Sequence, residues 1–229
     1  MDGLGLTALT LSGTGSIGGL DLLLMVSFLT LVATLGGVNL RITAWLATLS
    51  YAVQLYLLWR MAPTLLDGGV ADSVYRFDVL GHTMGWRYDA LSAFFAAITL
   101  IAALAASLYG SGAWGRGFQK AGGAPGLVHL ALAANVFSML LLLGSGDFLS
   151  LFIGWELVSW ASFLMMLLAR SGERDAALRY ITYATAGAMA LLAVLVVIHQ
   201  QTGSLSYAEF AAAVPGLAPL TLGLLVFLS

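Results

Sequence analysis

The residue best suited to chemistry in this sequence is a lone glutamate inside an apolar stretch. Glu156 occurs in FLSLFIGWELVSWASFLMMLLA, residues 148–169, eight residues after the stretch begins. At a helical rise of about 1.5 Å per residue, it would lie about 12 Å from that end of a membrane helix. A charge at this depth is costly in lipid and marks a functional position by default. Glu156 is therefore our first candidate for taking up and releasing protons.

A structural role for Glu156 stays open beside the functional one. Ser159 follows about one helical turn later, and hydroxyl groups on neighbouring helices could satisfy a carboxyl group that only fixes helix packing. We favour the functional interpretation, because Asn or Gln would make a packing hydrogen bond at a lower cost of desolvation.

Residues 176–199 contain a second set of candidates, Arg179, Thr182 and Thr185. Arg179 lies about one turn inside this apolar stretch, where an arginine can also extend its guanidinium group to the interface. We expect Asp175, one turn earlier, to be a better partner for Arg179 than Glu156, which would lie about 13 Å away in depth. Thr182 and Thr185 could line a hydrated path together with Ser159, although helix packing explains these hydroxyl groups equally well.

His129 and His199 are weaker candidates, as proton relays. They fall at opposite ends of their predicted membrane helices, so they cannot both ligate one haem. Cysteine is absent, which excludes disulfides, cysteine-held iron–sulfur clusters and thiolate zinc sites. The sequence contains no Ser-His-Asp, nucleotide-loop or metal-ligand pattern, so we expect no cofactor and no metal site.

The composition places these candidates in a membrane. Of 229 residues, 60% are hydrophobic and only 9% are charged, whereas soluble domains are about half apolar and about a quarter charged. We therefore predict an all-α polytopic integral membrane protein in contact with the lipid bilayer. The formal net charge of -2 provides no basic field, so nucleic acid is not an expected partner.

Apolar runs predict six complete transmembrane helices and the beginning of a seventh. A crossing needs about 20 apolar residues, and the predicted complete spans cover residues 22–37, 42–59, 90–109, 127–144, 148–169 and 176–199. The last run, residues 217–229, would reach only about 20 Å into a hydrocarbon core of about 30 Å. We expect the chain to stop partway through this seventh crossing.

The segments between the spans predict smaller elements outside the membrane. Apolar and polar residues alternate around Gly81, which predicts a short β-hairpin at about 74–88. The glycine-rich connector 111–126 is expected to be exposed to water, and YAEF at 207–210 predicts a brief surface helix.

The distribution of basic residues predicts the orientation. Arg60, Arg76 and Arg87 fall on one side of the predicted membrane; the other side carries Arg41, Arg116, Lys120, Arg170, Arg174 and Arg179. By the positive-inside rule, the N-terminus is expected outside the cell inner membrane.

Three tracts resemble a known family. They are RYDALSAFFAAITLIAALAASLY, GDFLSLFIGWELVSWASFLMMLLA and ERDAALRYITYATAGAMALLAVLVVIHQQTGSLSYAEF. They are similar to antiporter-like membrane subunits of respiratory complex I, of energy-converting hydrogenases and formate hydrogenlyase, and of Mrp-type multisubunit cation/proton antiporters. The resemblance runs from about residue 87 to the C-terminus, mostly through GWEL and AALRY. It implies an N-terminal helical hairpin with a periplasmic loop over 1–89 and an incomplete transmembrane domain over 90–229.

The resemblance also implies roles for two of the candidates. Glu156 corresponds to the family's membrane-embedded glutamate, which is taken to modulate the proton occupancy of a central lysine. Arg179 corresponds to a position that usually holds Lys or Arg. The central lysine belongs to the seventh helix of the family, which breaks off here at Ser229. We expect the sequence to be a fragment, a split subunit completed by another polypeptide, or a degenerate member, with a further segment supplying the lysine in the first two cases.

These observations favour a proton- or sodium-translocating membrane subunit of a multisubunit oxidoreductase or cation/proton antiporter, with other membrane subunits as partners. No redox centre is expected in this chain. Both an NADH-quinone oxidoreductase-like and a hydrogenase-like complex remain open. The alternative function is a structural or assembly subunit without transport of its own.

Overall fold

The computed structural model describes residues 9–10, 16–36, 40–79, 82–168, 174–216 and 223. Within these residues the chain forms eight α-helices: α1 Gly19–Leu35, α2 Leu40–Leu66, α3 Ala90–Ser111, α4 Ala113–Lys120, α5 Pro125–Leu143, α6 Phe148–Leu168, α7 Arg174–Thr202 and α8 Tyr207–Ala213. A short 3-10 helix, Val214–Gly216, follows α8. The residues of the predicted seventh span lie outside the described part, apart from Gly223.

Five of the described helices are long and apolar enough to cross a membrane: α2, α3, α5, α6 and α7. Helix α1 is equally apolar but has 17 residues. A helix of this length extends about 26 Å, slightly less than a hydrocarbon core of about 30 Å. The described chain is thus a mostly helical, multi-pass membrane protein.

The core lies where α1, α2, α3 and α5 meet. Fully buried side chains from each of these helices form one cluster, which includes Leu23, Tyr51, Leu100 and Leu140. Helix α6 packs against α5, and α7 packs against α6 at the side of the bundle. Helix α7 consequently leaves many large apolar side chains exposed, as expected for a helix that meets lipid or another subunit.

Short strands gather at one end of the bundle. Strand β3 (Ala71–Asp72) pairs antiparallel with β6 (Arg87–Tyr88), and β4 (Phe77–Val79) pairs antiparallel with β5 (His82–Met84). A third pair, β1 (Leu9–Thr10) and β2 (Ser16–Ile17), precedes α1. The pairs between residues 71 and 88 fall in the region for which the sequence predicts a hairpin.

Two buried carboxylates attach the strand region to the helices. Asp21 near the start of α1 accepts hydrogen bonds from the Ser73 hydroxyl and the Val74 backbone N–H. Asp147 ahead of α6 accepts from the Gly85 backbone N–H at 2.9 Å and from the Ser150 backbone N–H at 2.7 Å. Neither contact could be predicted from the local sequence, because each links segments more than 50 residues apart.

One predicted boundary is wrong, and one connector contains a helix that was not predicted. Helix α2 continues through Pro63 to Leu66, whereas the predicted span ends at residue 59. The segment predicted as an exposed connector contains helix α4, because Gly115 lets α4 approach the end of α3: a Cβ at Gly115 would lie 1.9 Å from the Gly110 carbonyl oxygen. The predicted surface helix near residue 207 is confirmed as α8.

Candidate functional site

Helix α6 carries Glu156 and packs against α5. The two helices approach closely near Gly154, since a Cβ there would lie 2.8 Å from the Cα of Leu142. Two residues later, Glu156 is half-buried, and its Oε1 atom is fully enclosed with no hydrogen-bond partner among the described residues. An enclosed polar atom without a partner is costly unless water, a proton or another group satisfies it.

Ser159, the predicted neighbour of Glu156, bonds to its own helix. Its hydroxyl group is buried and donates to the Trp155 carbonyl oxygen at 3.0 Å. That bond leaves the hydroxyl oxygen available as an acceptor for a water molecule. Trp155 and Trp160, on the same helix, are exposed.

The structure adds a polar pair that the sequence prediction missed. Asn135 on α5 donates from Nδ2 to the hydroxyl oxygen of Ser162 on α6 at 3.1 Å. The signal was an asparagine within an apolar span, a residue that commonly bonds to a neighbouring membrane helix. Glu156, Ser159 and Ser162 follow one another at intervals of three residues and therefore form a polar row along α6.

The second set of candidates lies on the exposed side of α7. The side chains of Arg179, Thr182 and Thr185 are all exposed, and the Thr182 hydroxyl donates to the Leu178 carbonyl oxygen at 2.8 Å. The predicted pair of Asp175 and Arg179 does not form: among the described residues, the one ion pair joins Arg87 and Asp72 at 2.7 Å. Among the described residues, Arg179 thus has no ion-pair partner.

The two predicted histidines lie at opposite ends of the bundle. His129 is buried near the start of α5, against Gly110, and its Nδ1 atom has no partner in the described part of the chain. His199 lies near the end of α7, where its exposed ring meets the ring of His82 edge-on, with centroids 4.8 Å apart. The prediction missed His82, the third histidine, because its approach to α7 depends on how the strands fold back.

Metal ligands do not cluster in the described part of the chain. Within those ranges, no group of three or more His, Asp or Glu side chains lies close enough together to hold a metal ion.

A polar cavity of about 880 Å³ opens at the end of the bundle that carries the strands. Asp89, Asp147, Glu209 and Tyr207 are among the residues that line it. A hydrogen bond donated by the Ser92 backbone N–H lowers the pKa of the Asp89 carboxyl group below its ordinary value. Burial raises the pKa of the Tyr207 hydroxyl group. The lowered pKa favours the charged form of Asp89 at this end of the bundle.

The C-terminal part of the chain, which contains Glu156 and Arg179, matches a known family. Residues 145–229 match the family described as "NADH:quinone oxidoreductase/Mrp antiporter, TM". The chain is 35% identical over 92 residues to NADH-quinone oxidoreductase subunit N of Deinococcus radiodurans, a match that covers 40% of this chain and 19% of that protein.

Two solved structures share the fold over most of the chain. A chain in the membrane-bound sulfane sulfur reductase, an archaeal respiratory membrane complex, aligns with a TM-score of 0.74 and 26% identity, covering 92% of this chain and 32% of its own length. A chain in the Mrp complex from Dietzia sp. DQ12-45-1b aligns with a TM-score of 0.69 and 20% identity, covering 92% of this chain and 22% of its own length.

The chain therefore spans a third or less of the relatives that it matches. Within that share, the family match over residues 145–229 and the similarity to a subunit N agree with the fold of the archaeal complex. These similarities support the assignment of the chain to the family of antiporter-like membrane subunits.

Proposed function

We propose that this chain is a proton-translocating membrane subunit of a multisubunit complex, with Glu156 as the group that takes up and releases the proton. The observation that carries the proposal is the enclosed Oε1 atom of Glu156, which lacks a hydrogen-bond partner among the described residues. Protonation would remove the charge of a carboxyl group in that state, and a water molecule would supply the missing hydrogen bond and a route for the proton. Glu156 also lies within the family match.

The other candidates take supporting roles in this proposal. Ser159 has a free acceptor position for water beside Glu156. Arg179, Thr182 and Thr185 are exposed on α7, where a further segment that supplies a lysine could pack and complete the route. His129 and His199 would pass protons at the two ends of the bundle, and sodium is the alternative ion at the same carboxylate.

The proposed setting is the cell inner membrane, with the N-terminus outside. In this arrangement α1, although short, counts with the five longer helices as six complete crossings, and residues 217–229 begin a seventh. The strands between residues 71 and 88 form a hairpin region outside the membrane. The partners are other membrane subunits of an NADH-quinone oxidoreductase-like, hydrogenase-like or Mrp-type complex.

Replacing the carboxyl group of Glu156 tests the proposal. Glu156→Gln keeps the size and polarity of the side chain but cannot release a proton, so we expect loss of proton translocation with normal assembly of the complex. The measurement is proton movement in vesicles that contain the assembled complex. Glu209→Gln serves as the control, because Glu209 is exposed on α8.

The alternative function, a structural or assembly subunit, has one observation in its favour. The region around Glu156 is also where α5 and α6 pack closely, through Gly154 and the bond between Asn135 and Ser162. Under this alternative, Glu156→Gln would leave proton movement unchanged. That result would refute the proposed role of Glu156.

A further inference from the structure

Helices α1 and α2 enclose a set of polar side chains well inside the bundle. Thr30 on α1 and Ser50, Tyr51 and Gln54 on α2 belong to this set, and Tyr51 and Gln54 are only 1% and 0% exposed. Gln54 lies near the middle of α2, one of the helices long enough to cross a membrane. Lipid supplies no hydrogen bonds at this depth, so each of these polar atoms needs a partner inside the protein.

The hydrogen bonds among these side chains determine the orientation of the Gln54 amide. The Thr30 hydroxyl donates to the Val26 carbonyl oxygen at 2.7 Å, so Ser50 is the donor in the bond between the Thr30 and Ser50 hydroxyl groups. Both hydroxyl protons are thereby used, and the two oxygens accept from Gln54 Nε2, at 3.4 Å to Thr30 and 3.2 Å to Ser50. A reversed amide would place Oε1 against two oxygens that have no proton to share.

This arrangement leaves two enclosed atoms without a partner. Gln54 Oε1 and the Tyr51 hydroxyl group form no hydrogen bond with any described residue. The two residues are three positions apart on α2, so their side chains are neighbours on one surface of the helix. Oε1 only accepts, whereas the hydroxyl group can both donate and accept. Neighbouring buried groups with unmet hydrogen bonds are the usual setting of an internal water molecule.

We propose that this part of the core binds internal water, which accepts a hydrogen bond from the Tyr51 hydroxyl group and donates one to Gln54 Oε1. The ligand is water and not a cation, because the set contains no carboxylate and the Thr30 and Ser50 oxygens already accept from Gln54. Glu156 lies on a different helix, α6, and the water site does not depend on the function proposed for it.

A second buried tyrosine offers a matched control. Tyr88 is 0% exposed and belongs to the same core cluster as Tyr51. Its hydroxyl group donates to the Leu140 carbonyl oxygen at 2.8 Å. The two tyrosines are therefore alike in burial and differ in whether the protein itself satisfies the hydroxyl group, so Tyr88 needs no bound water.

Radiolytic footprinting of the purified chain in lipid nanodiscs tests for the water. Irradiation with X-rays generates hydroxyl radicals from bound water, and peptide mass spectrometry measures how fast each neighbouring side chain is oxidised. We expect Tyr51 to be oxidised faster than Tyr88. In Gln54→Met the rate at Tyr51 should fall to that of Tyr88, because the water loses its acceptor while Thr30 and Ser50 keep their own bonds. Oxidation of Tyr51 no faster than that of Tyr88 would overturn the proposal, as would an unchanged rate in Gln54→Met.

Removal of each hydroxyl group gives a second test, by the direction of a shift in the thermal unfolding midpoint. Tyr88→Phe should lower the midpoint, because it breaks the bond to Leu140. Tyr51→Phe should also lower it, because the water that satisfies Gln54 Oε1 loses a partner. Without the water, Tyr51→Phe would remove an unsatisfied group from the core and raise the midpoint. A raised or unchanged midpoint for Tyr51→Phe would therefore refute the water site.

Discussion

At the scale of single residues, the polar groups of this chain serve in two different ways. Glu156 and His129 each carry an enclosed atom without a partner, whereas Asp21 and Asp147 are buried with hydrogen bonds to their carboxylate oxygens. The satisfied carboxylates attach the strand region to the helices. The enclosed Oε1 atom of Glu156 is the observation on which its proposed role in proton transfer rests.

Asp89 allows a prediction about pH. Its carboxylate accepts from the Ser92 backbone N–H at 2.8 Å and caps α3. Asp89→Ala should destabilise the protein by about 1 kcal/mol at neutral pH. Because the folded pKa is lowered from the ordinary 3.8, this contribution is present above that value and is lost as the pH falls through the folded pKa.

Thermal unfolding of both proteins between neutral and acidic pH measures this difference. Asp67→Ala is the control, because Asp67 is exposed and lies just after α2, away from any helix N-cap. A difference between the original protein and Asp89→Ala that persists at low pH would contradict the capping role.

At the scale of elements, the contact between α5 and α6 depends on a missing side chain. A Cβ at Gly154 would lie 2.8 Å from the Cα of Leu142, so Gly154→Ala should force the helices apart at a cost of about 1–3 kcal/mol. Gly187→Ala is the matched control in α7, where a Cβ meets nothing within 4 Å.

Thermal unfolding in detergent compares the two glycine variants. We expect a lower midpoint for Gly154→Ala and no loss for Gly187→Ala. Equal midpoints would show that the two helices can separate without cost, which would contradict the packing argument.

Hydrophobic run length was enough to predict most of the long helices but not the short ones. The helices α3, α5, α6 and α7 begin and end within three residues of their predicted spans. Helix α4 was missed because glycines that normally interrupt a helix instead permit its approach to α3. The end of α2 was placed too early because the apolar run stops before Arg60, whereas the helix continues past it and accommodates Pro63 in its last turn.

Residues of the candidate site could be predicted from the sequence only where a single helix makes them stand out. Glu156 stands out in the sequence because it is a charge within an apolar run. The pair of Asn135 and Ser162 and the contact of His82 with His199 each join two elements. Such contacts depend on helix rotation and on the path of the strands, which periodicity within one segment does not specify.

At the scale of the whole molecule, the two ends of the bundle differ in charge. The end with the strands carries the carboxylates Asp21, Asp67, Asp72, Asp78, Asp89, Asp147 and Glu209 and three arginines, Arg60, Arg76 and Arg87. At the end with α4, Arg116, Lys120, Arg174 and Arg179 face a single described carboxylate, that of Asp175. The positive-inside rule predicts that the α4 end faces the cytoplasm.

Single cysteines can test this orientation, because the chain has none of its own. Ala208→Cys on α8 and Gln119→Cys on α4 place a thiol at an exposed position at each end. In intact cells, a membrane-impermeant maleimide should label Ala208→Cys, whereas Gln119→Cys should react only after permeabilisation. The reverse pattern would show that the predicted orientation is wrong.

The depth of Glu156 has an electrical consequence. About 12 Å of a hydrocarbon core of about 30 Å separates it from the end with the strands, so a proton moving between that side and Glu156 crosses about 0.4 of the membrane voltage. At about 2.3 kcal/mol per charge for each 100 mV, the voltage contributes about 0.9 kcal/mol to that step. The occupancy of Glu156 would then shift about fivefold for each 100 mV applied across the membrane.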